Sequence, residues 1–339
     1  MTARTGLTSS AVTQIVKRLI AADLVGEFET QGTKSPGRNR VNVALTGHGL
    51  CSLGLIVRRH DVLWAICTLD GTPLAVQETA LAGNSAADRL DLTLSSLQEE
   101  IQRSGRRLVA AGIGLPTFSG TRLQKKEYLA EIRTRLGVPC QTSNNSTYPA
   151  LQEERTFLGQ RPPAFLFVFA GGGIGGAVVR RRPNGELPDI HVVEVGHVGI
   201  DPEGAPCICG NRGCVEMSVS PVALARQAGI PSTGPADEDL LQIPEALTGE
   251  ATDRLAYALA SIANVLDVSH VVVGGYGEAV LRHLYGRLPE RLRGSVTPGG
   301  EPVTVRFSSM GRRSCVVGAA VGALHDFGEP VTQTLVTTA

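Results

Sequence analysis

Apolar residues recur along the chain with two different periods. Val12, Ile15, Val16, Leu19 and Ile20 fall at i, i+3, i+4, i+7 and i+8, the spacing of one helical face. Thr8 stands where a capping side chain is favoured. A helix is therefore predicted from Ser9 to about Ala22, ended by Asp23-Leu24-Val25-Gly26. Ser9, Ser10, Thr13, Gln14, Lys17 and Arg18 lie away from the apolar stripe. Val25 to Glu29 and Val41 to Leu45 predict two short strands. Between them Gly32, Pro36 and Gly37 predict a turn that carries Lys34, Arg38 and Arg40.

From Leu50 onward the pattern changes. Leu53 to Val57 and Val62 to Leu69 predict paired strands closed by Asp70-Gly71. A helix is predicted over Ala86 to Ser104, and a buried strand from Leu108 to Leu115 ends at Pro116. Phe165 to Phe169 is a strand that runs into a glycine cluster. Leu255 to Leu266 is helical, and His270 to Val273 is a strand running into Gly274-Gly275. Thr233 to Asp239 is polar and predicts a loop. Strands alternate with helices, so the fold class is α/β. No short-period repeat is visible.

The chain has 339 residues, enough for two or three domains. Lys+Arg and Asp+Glu are both 32, so no polyelectrolyte partner follows for the chain as a whole. A nucleic-acid role needs a local basic surface. Residues 1–46 supply one: Arg4, Lys17, Arg18, Lys34, Arg38 and Arg40 outnumber Asp23, Glu27 and Glu29. Met1 to Leu7 is polar, without the apolar core of a signal peptide. No stretch reaches the ~18–20 apolar residues of a membrane span, so a cytoplasmic protein is expected.

Cys51, Cys67, Cys140 and Cys315 are scattered, as buried thiols are. Cys207, Cys209 and Cys214 are clustered, and His197 precedes them by ten positions. Thiolate and imidazole donors match the softness and tetrahedral preference of Zn²⁺. Gly210 and Gly213 let the backbone turn tightly enough for three sulfurs to converge. Four protein ligands close the shell, so a structural zinc site is expected. The alternative is a chance cluster of buried cysteines.

Glu194-Val195-Gly196-His197, followed by Cys207-Ile208-Cys209-Gly210-Asn211-Arg212-Gly213-Cys214-Val215-Glu216, resembles the signature of the ROK family (repressors, open reading frames and kinases). The likeness runs over roughly residues 50–325. It includes Gly112-Ile113-Gly114-Leu115-Pro116, Gly172-Gly173-Ile174-Gly175-Gly176 and Val273-Gly274-Gly275. The resemblance implies an actin/hexokinase-like fold of two α/β lobes with a cleft between them. It assigns residues 50–145 to a smaller lobe completed by a helix near 313–326. A larger lobe, 146–312, carries the zinc.

In that family the Glu and His of the first motif, and the Glu after the last Cys, grip sugar hydroxyls. These positions are Glu194, His197 and Glu216 here. An Asn-Asp pair supplies the rest of the sugar site. Asn144 matches the Asn, and Asn145 stands in place of the Asp. His197 would serve twice, with one nitrogen on zinc and the ring edge toward the sugar.

The family's sugar kinases use that Asp as general base and a glycine-rich D-x-G-G-T loop for phosphate. An amide such as Asn145 cannot accept the proton, although it can hydrogen-bond a hydroxyl. Ile56 stands where the loop's Asp should be, and Arg58 and Arg59 take its two glycine positions. Binding is kept and chemistry lost, so no enzyme is expected. The alternative is an ATP-dependent, glucokinase-like sugar kinase. The cluster Gly171 to Gly176 is expected to shape a hairpin rather than a nucleotide fingerprint, which requires a following helix.

Thr5 to Val16 resembles the turn and recognition helix of a winged helix-turn-helix, and Ser35-Pro36-Gly37-Arg38 resembles the wing of ROK repressors. Ser9, Ser10, Thr13 and Gln14 would approach the major groove. Lys17 and Arg18 would meet phosphates, and Arg38 and Arg40 would reach the minor groove. Met1 stands near the end of the module's second helix. The module, residues 1–46, is therefore expected to be partial, with the true start upstream. The whole reads as a sugar-responsive transcriptional regulator, homodimeric or a dimer of dimers. Its expected partners are an operator DNA, a small-molecule sugar effector and, by family analogy, a phosphotransferase-system protein. A truncated sugar-binding protein without a DNA role is the third reading.

Overall fold

The computed structural model of the chain describes residues 6–29, 41–45, 47–57, 61–80, 86–115, 122–144, 146–157, 161–182, 188–230 and 236–324. Helix α1, Ser9–Ala21, opens the described chain. Its cap is Thr8, whose Oγ1 accepts the Ala11 N–H at 3.3 Å. Asp23, at φ 55°, turns the chain out of the helix. Strands β1, Val25–Glu29, and β2, Val41–Leu45, then pair antiparallel, with Val25 opposite Leu45 and Glu29 opposite Val41. The apolar stripe of α1 is only partly covered. Ile15 and Ile20 are 45% and 38% exposed, whereas Leu19 packs with Ala22, Leu24 and Val25 against Leu50, Leu69, Val109 and Leu324.

The body contains two five-stranded sheets of one plan. The first is built from β3 (Leu50–Val57), β4 (Asp61–Cys67), β5 (Pro73–Ala80), β6 (Arg107–Leu115) and β7 (Cys140–Asn144), in the order β5-β4-β3-β6-β7. The second uses β8 (Ala164–Ala170), β9 (Ile174–Arg180), β10 (Asp189–Val193), β11 (His270–Gly275) and β12 (Thr304–Phe307), in the order β10-β9-β8-β11-β12. In each, the first three strands form an antiparallel meander and the last two run parallel to the first.

Parallel neighbours need crossover segments, and helices supply them. Helices α2 (Ala86–Ser104) and α3 (Arg122–Leu136) serve the first sheet. A helix also follows the last strand of each sheet: α4, Thr147–Thr156, after β7, and a helix at 313–324 after β12.

Helices on both faces leave β3 buried along nearly its whole length, as expected for a covered sheet. One face packs Leu53, Leu55, Trp64 and Ile113 against Leu94, Leu97 and Ile132. The other packs Ile56, Leu63 and Ala65 against Tyr148, Val316, Ala319 and Ala320. The 313–324 helix lies backbone-on-backbone against this second face. A Cβ on Gly54 would sit 1.8 Å from the Val316 carbonyl oxygen, and one on Gly112 2.0 Å from that of Ala319.

Between β10 and β11 come α5 (Val215–Val219), α6 (Pro221–Gln227), α7 (Asp237–Leu240) and α8 (Glu245–Leu266). Between β11 and β12 come α9 (Glu278–Tyr285) and α10 (Leu288–Arg291), so the 313–324 helix is α11.

Two expectations need correction. The polar stretch predicted as a loop through Asp239 contains α7, whose first turn carries Asp237, Glu238 and Asp239, the charge a helix N-terminus favours. Helix α8 begins at Glu245 rather than Leu255, because Thr248, Ala251 and Thr252 are buried on its inner face. The Thr252 hydroxyl donates to the Thr248 carbonyl at 2.8 Å and is within 3.2 Å of that of Leu284. No described helix is long and apolar enough to cross a membrane.

Candidate metal centre and adjoining cleft

His197 ends a 3₁₀ turn, Val195–His197, that leaves the edge strand β10. The chain then loops out through Cys207 and Cys209 and returns to Cys214, the residue that opens α5. Backbone pairing shapes the loop. The Cys207 N–H donates to the Asn211 carbonyl at 2.8 Å, and the Gly210 N–H to that of Cys207 at 3.0 Å. Isolated bridges join Pro206 to Arg212 and Gly199 to Cys214. Gly210 and Gly213 both have positive φ, 95° and 57°. Gly213 has a second reason to be glycine: a Cβ there would lie 1.7 Å from the Asp201 carbonyl oxygen.

This loop brings one donor atom each from His197, Cys207, Cys209 and Cys214 to within 4.8 Å of one another. The Cys207 sulfur lies 3.4 Å from His197 Nδ1, and the Cys209 and Cys214 sulfurs are 3.6 Å apart. A tetrahedral Zn²⁺, ~2.3 Å from sulfur and ~2.0 Å from nitrogen, spaces its donors ~3.5–3.8 Å apart. The gathered donor set therefore fits one metal ion. All the described cysteines are free thiols.

Their environments differ. Burial pushes Cys51 and Cys140 up to about 11 and Cys67 up to about 12, where they remain protonated. Cys209 is instead drawn below its ordinary value, first by the Asn211 backbone N–H and then by the neighbouring thiols. Burial holds Cys214 above its ordinary value, so an incoming cation must displace that proton.

Glu216 follows Cys214 by two residues in the first turn of α5. Its Oε2 accepts the Ile174 N–H at 2.8 Å. Ile174 is the first residue of β9, just past the glycine turn of the β8–β9 hairpin. A Cβ on Gly173 would lie 2.1 Å from that same carboxylate oxygen. The Ile174 carbonyl is held from the other side, since a Cβ on Gly196 would lie 2.2 Å from it. The glycine turn is thus shaped around Glu216 and the His197 loop. The expected hairpin is present, with Ala170 opposite Ile174.

Glu194 is exposed at the start of the 3₁₀ turn, and its carbonyl accepts the His197 N–H at 3.0 Å. Asn144 ends β7, opposite Leu115. Ser146, just beyond it, opens α4 and touches the glycine turn, where a Cβ on Gly175 would lie 2.2 Å from its Oγ. The end of β7, the glycine turn, Glu216 and the His197 loop are therefore neighbours around Ile174.

Asn145, Arg58, Arg59, Arg38 and Arg40 lie outside the described residues. Ile56 is 1% exposed, set between Leu63 and Gly114 and packed on Cys315 and Val316. On α1, Ser9, Ser10, Thr13, Gln14, Lys17 and Arg18 are all exposed. The sequence reading missed the roles of the Ile174 backbone and of Ser146. The spacing of Gly173, Gly175 and Gly196 around them was the available signal.

The ROK family model matches residues 53–325. The DNA-binding transcriptional dual regulator NagC of Escherichia coli is 24% identical over 238 residues, covering 65% of this chain and 58% of NagC. The chain thus spans less than two thirds of the curated regulators' length. A glucokinase of Halalkalibacterium halodurans is 27% identical over 284 residues, covering 70% of this chain and 82% of that enzyme. Among solved structures, a ROK family transcriptional regulator homologous to Escherichia coli Mlc has a TM-score of 0.73 at 23% identity, covering 100% of this chain and 93% of that one. A ROK family glucokinase from Streptomyces griseus, solved with glucose and AMPPNP, gives 0.62 at 22% identity, covering 81% and 99%. At these identities the structural likeness speaks to the fold.

Proposed function

The chain belongs to the ROK family, and from that premise we propose that it is a sugar-responsive transcriptional regulator, a repressor by its relatives' example. A sugar or sugar derivative is the ligand, with Asn144, Asn145, Glu194, His197 and Glu216 as the candidate residues that hold it. The N-terminal helix and hairpin read operator DNA through Ser9, Ser10, Thr13, Gln14, Lys17, Arg18, Arg38 and Arg40. His197, Cys207, Cys209 and Cys214 hold a structural zinc. When bound, that ion would cross-link the loop and fix the orientation of the His197 ring, with one nitrogen on the metal and the ring edge toward the sugar. Repression through paired half-sites calls for a homodimer or a dimer of dimers. A phosphotransferase-system protein is a further candidate partner.

One observation carries the choice of regulator over kinase. The position that should present a phosphate-loop carboxylate holds Ile56, sealed in the core, while Glu216 on the sugar side is kept and braced by the Ile174 N–H. With an amide at Asn145, the cleft has hydroxyl partners but no proton acceptor at that position. The Halalkalibacterium glucokinase, matched over most of its length, keeps the second reading in view: an ATP-dependent sugar kinase.

Two assays separate them. Gel-shift titration against the chain's own promoter region, using the full-length protein, is expected to show retardation that hexoses or aminosugars modulate. Replacing Lys17 and Arg38 should abolish the shift. A coupled assay of ATP consumption over the same sugars is expected to show no turnover. Turnover lost on changing Asn145 or Glu194 would overturn the proposal in favour of the kinase.

A further inference from the structure

Arg312 is the one residue of the C-terminal segment that, among the described ion pairs, reaches both halves of the body. Its guanidinium lies 3.6 Å from Glu78, on the outer strand β5 of the first sheet. It also lies 3.6 Å from Asp237, in the first turn of α7 on the other side. It stacks at 4.2 Å over Tyr276, at the end of β11 in the second sheet. A cavity of about 360 Å³ opens beside it, bordered by Leu63 and Val76 from the first sheet and by Asp237 and Gly277 from the second side. Movement of one sheet against the other changes the Glu78–Asp237 separation. Arg312 cannot then keep both partners. The open cavity leaves room for that movement.

Helix α11 starts at the next residue and spans ~18 Å at 1.5 Å per residue. It has no slack across its axis. Gly54 and Gly112 meet its backbone from the sheet. From the opposite side its own Gly318 meets the Tyr148 carbonyl, where a Cβ would lie 2.1 Å from the oxygen. Tyr148 belongs to α4, the helix that opens directly after Asn144-Asn145. The last described residue of α11, Leu324, packs against the cluster in which Ala22 and Leu24 of the N-terminal segment are buried with Leu50 and Val109. Asp23 ties the same N-terminal segment to the start of β3, its carboxylate accepting the Gly49 N–H at 3.0 Å.

We propose that α11 is a strut that carries the relative position of the two sheets to the N-terminal helix, with Arg312 as its contact between the two sheets and Leu324 as its contact at the far end. Such a two-ended element is what coupling between a ligand cleft and a distant helix requires: a contact at each end whose free energy differs between two arrangements. The role of the cleft rests on the sugar-regulator reading. The mechanical link does not, and it is testable without sugar or DNA.

The test is amide hydrogen exchange on the full chain. Ala22, Asp23 and Leu24 donate to the carbonyls of Arg18, Ile20 and Leu19, so their exchange reports opening of the α1 terminus. In Arg312→Ala, exchange of this segment is expected to quicken about tenfold, within the usual range of coupling between sites. The control is Arg291→Ala, which removes an ion pair to Asp253 on the outer helices of the second sheet. It is expected to leave residues 22–24 unchanged. Glu78→Gln, on an exposed carboxylate, carries the same expectation as Arg312→Ala should that variant fail to fold. Unchanged exchange at 22–24 in Arg312→Ala or Glu78→Gln would overturn the proposal, as would an equal response in Arg291→Ala. A positive exchange result with no sugar-dependent gel shift would keep the strut and discard the regulator.

Discussion

The β3–β4 and β8–β9 hairpins occupy the same place in two sheets of the same strand order, yet they are filled in opposite ways. At the end of β3 the space is taken by Ile56, a buried side chain in the cluster that holds Leu63 and Val316. At the start of β9 it is cleared by Gly173 and Gly196, so that Glu216 can reach the Ile174 N–H. One framework can therefore lose a polar site on one sheet and keep it on the other. The difference lies in which hairpin end holds a side chain and which holds none. In the reading proposed above, the filled end is a surrendered phosphate site and the cleared end a retained sugar site.

The glycines of the two sheets should separate most sharply under substitution. Gly54→Ala drives a Cβ onto the Val316 backbone carbonyl, which cannot swing away. Loss of about 3 kcal/mol is expected in chemical denaturation. Gly173→Ala meets only the end of the flexible Glu216 side chain. Its stability should change by less than about 1 kcal/mol, while sugar affinity by calorimetry falls because the carboxylate is displaced. Equal destabilisation by both would erase the contrast.

Cys214→Ser comes next. Residues that merely orient a metal ligand change affinity by ~10–100-fold, so losing a buried ligand should lower zinc affinity by more than about 100-fold in chelator competition. Glu216→Gln keeps the shape but weakens a charge-assisted bond. About 1 kcal/mol of stability and a tenfold loss in sugar affinity are expected.

The smallest effect concerns His270, at the start of β11. Burial draws its pKa below the ordinary 6.5, only partly offset by Glu301. The folded state then binds fewer protons than the unfolded one. Stability is complete above the unfolded pKa and declines as pH falls below it toward the folded value. His270→Asn should remove that segment of the pH–stability curve, and an unchanged curve would contradict the assignment.

Much of this was legible in the residues because local chemistry dictated it. Thr8 and the stripe from Val12 fixed the first helix to within a residue, and Val25–Glu29 and Val41–Leu45 were bounded by their own turn residues. The Cys-x-Cys spacing announced the donor cluster because few other contexts gather three thiols so closely. What stayed hidden was non-local. The first turns of α8 were missed and the helix was placed from Leu255, since nothing in the sequence shows that Thr248 and Thr252 are buried. The shared plan of the two sheets has no sequence period, since backbone pairing rather than side-chain identity is what repeats. The reasons for Gly54, Gly112 and Gly196 lie in backbones distant along the chain.

X-ray absorption at the zinc edge on the purified full-length protein bears most directly on the central claim. The account predicts one zinc per chain with three sulfur neighbours at about 2.3 Å and one nitrogen neighbour at about 2.0 Å. Protein that is fully folded yet holds no zinc, or holds it through oxygen ligands, would contradict it.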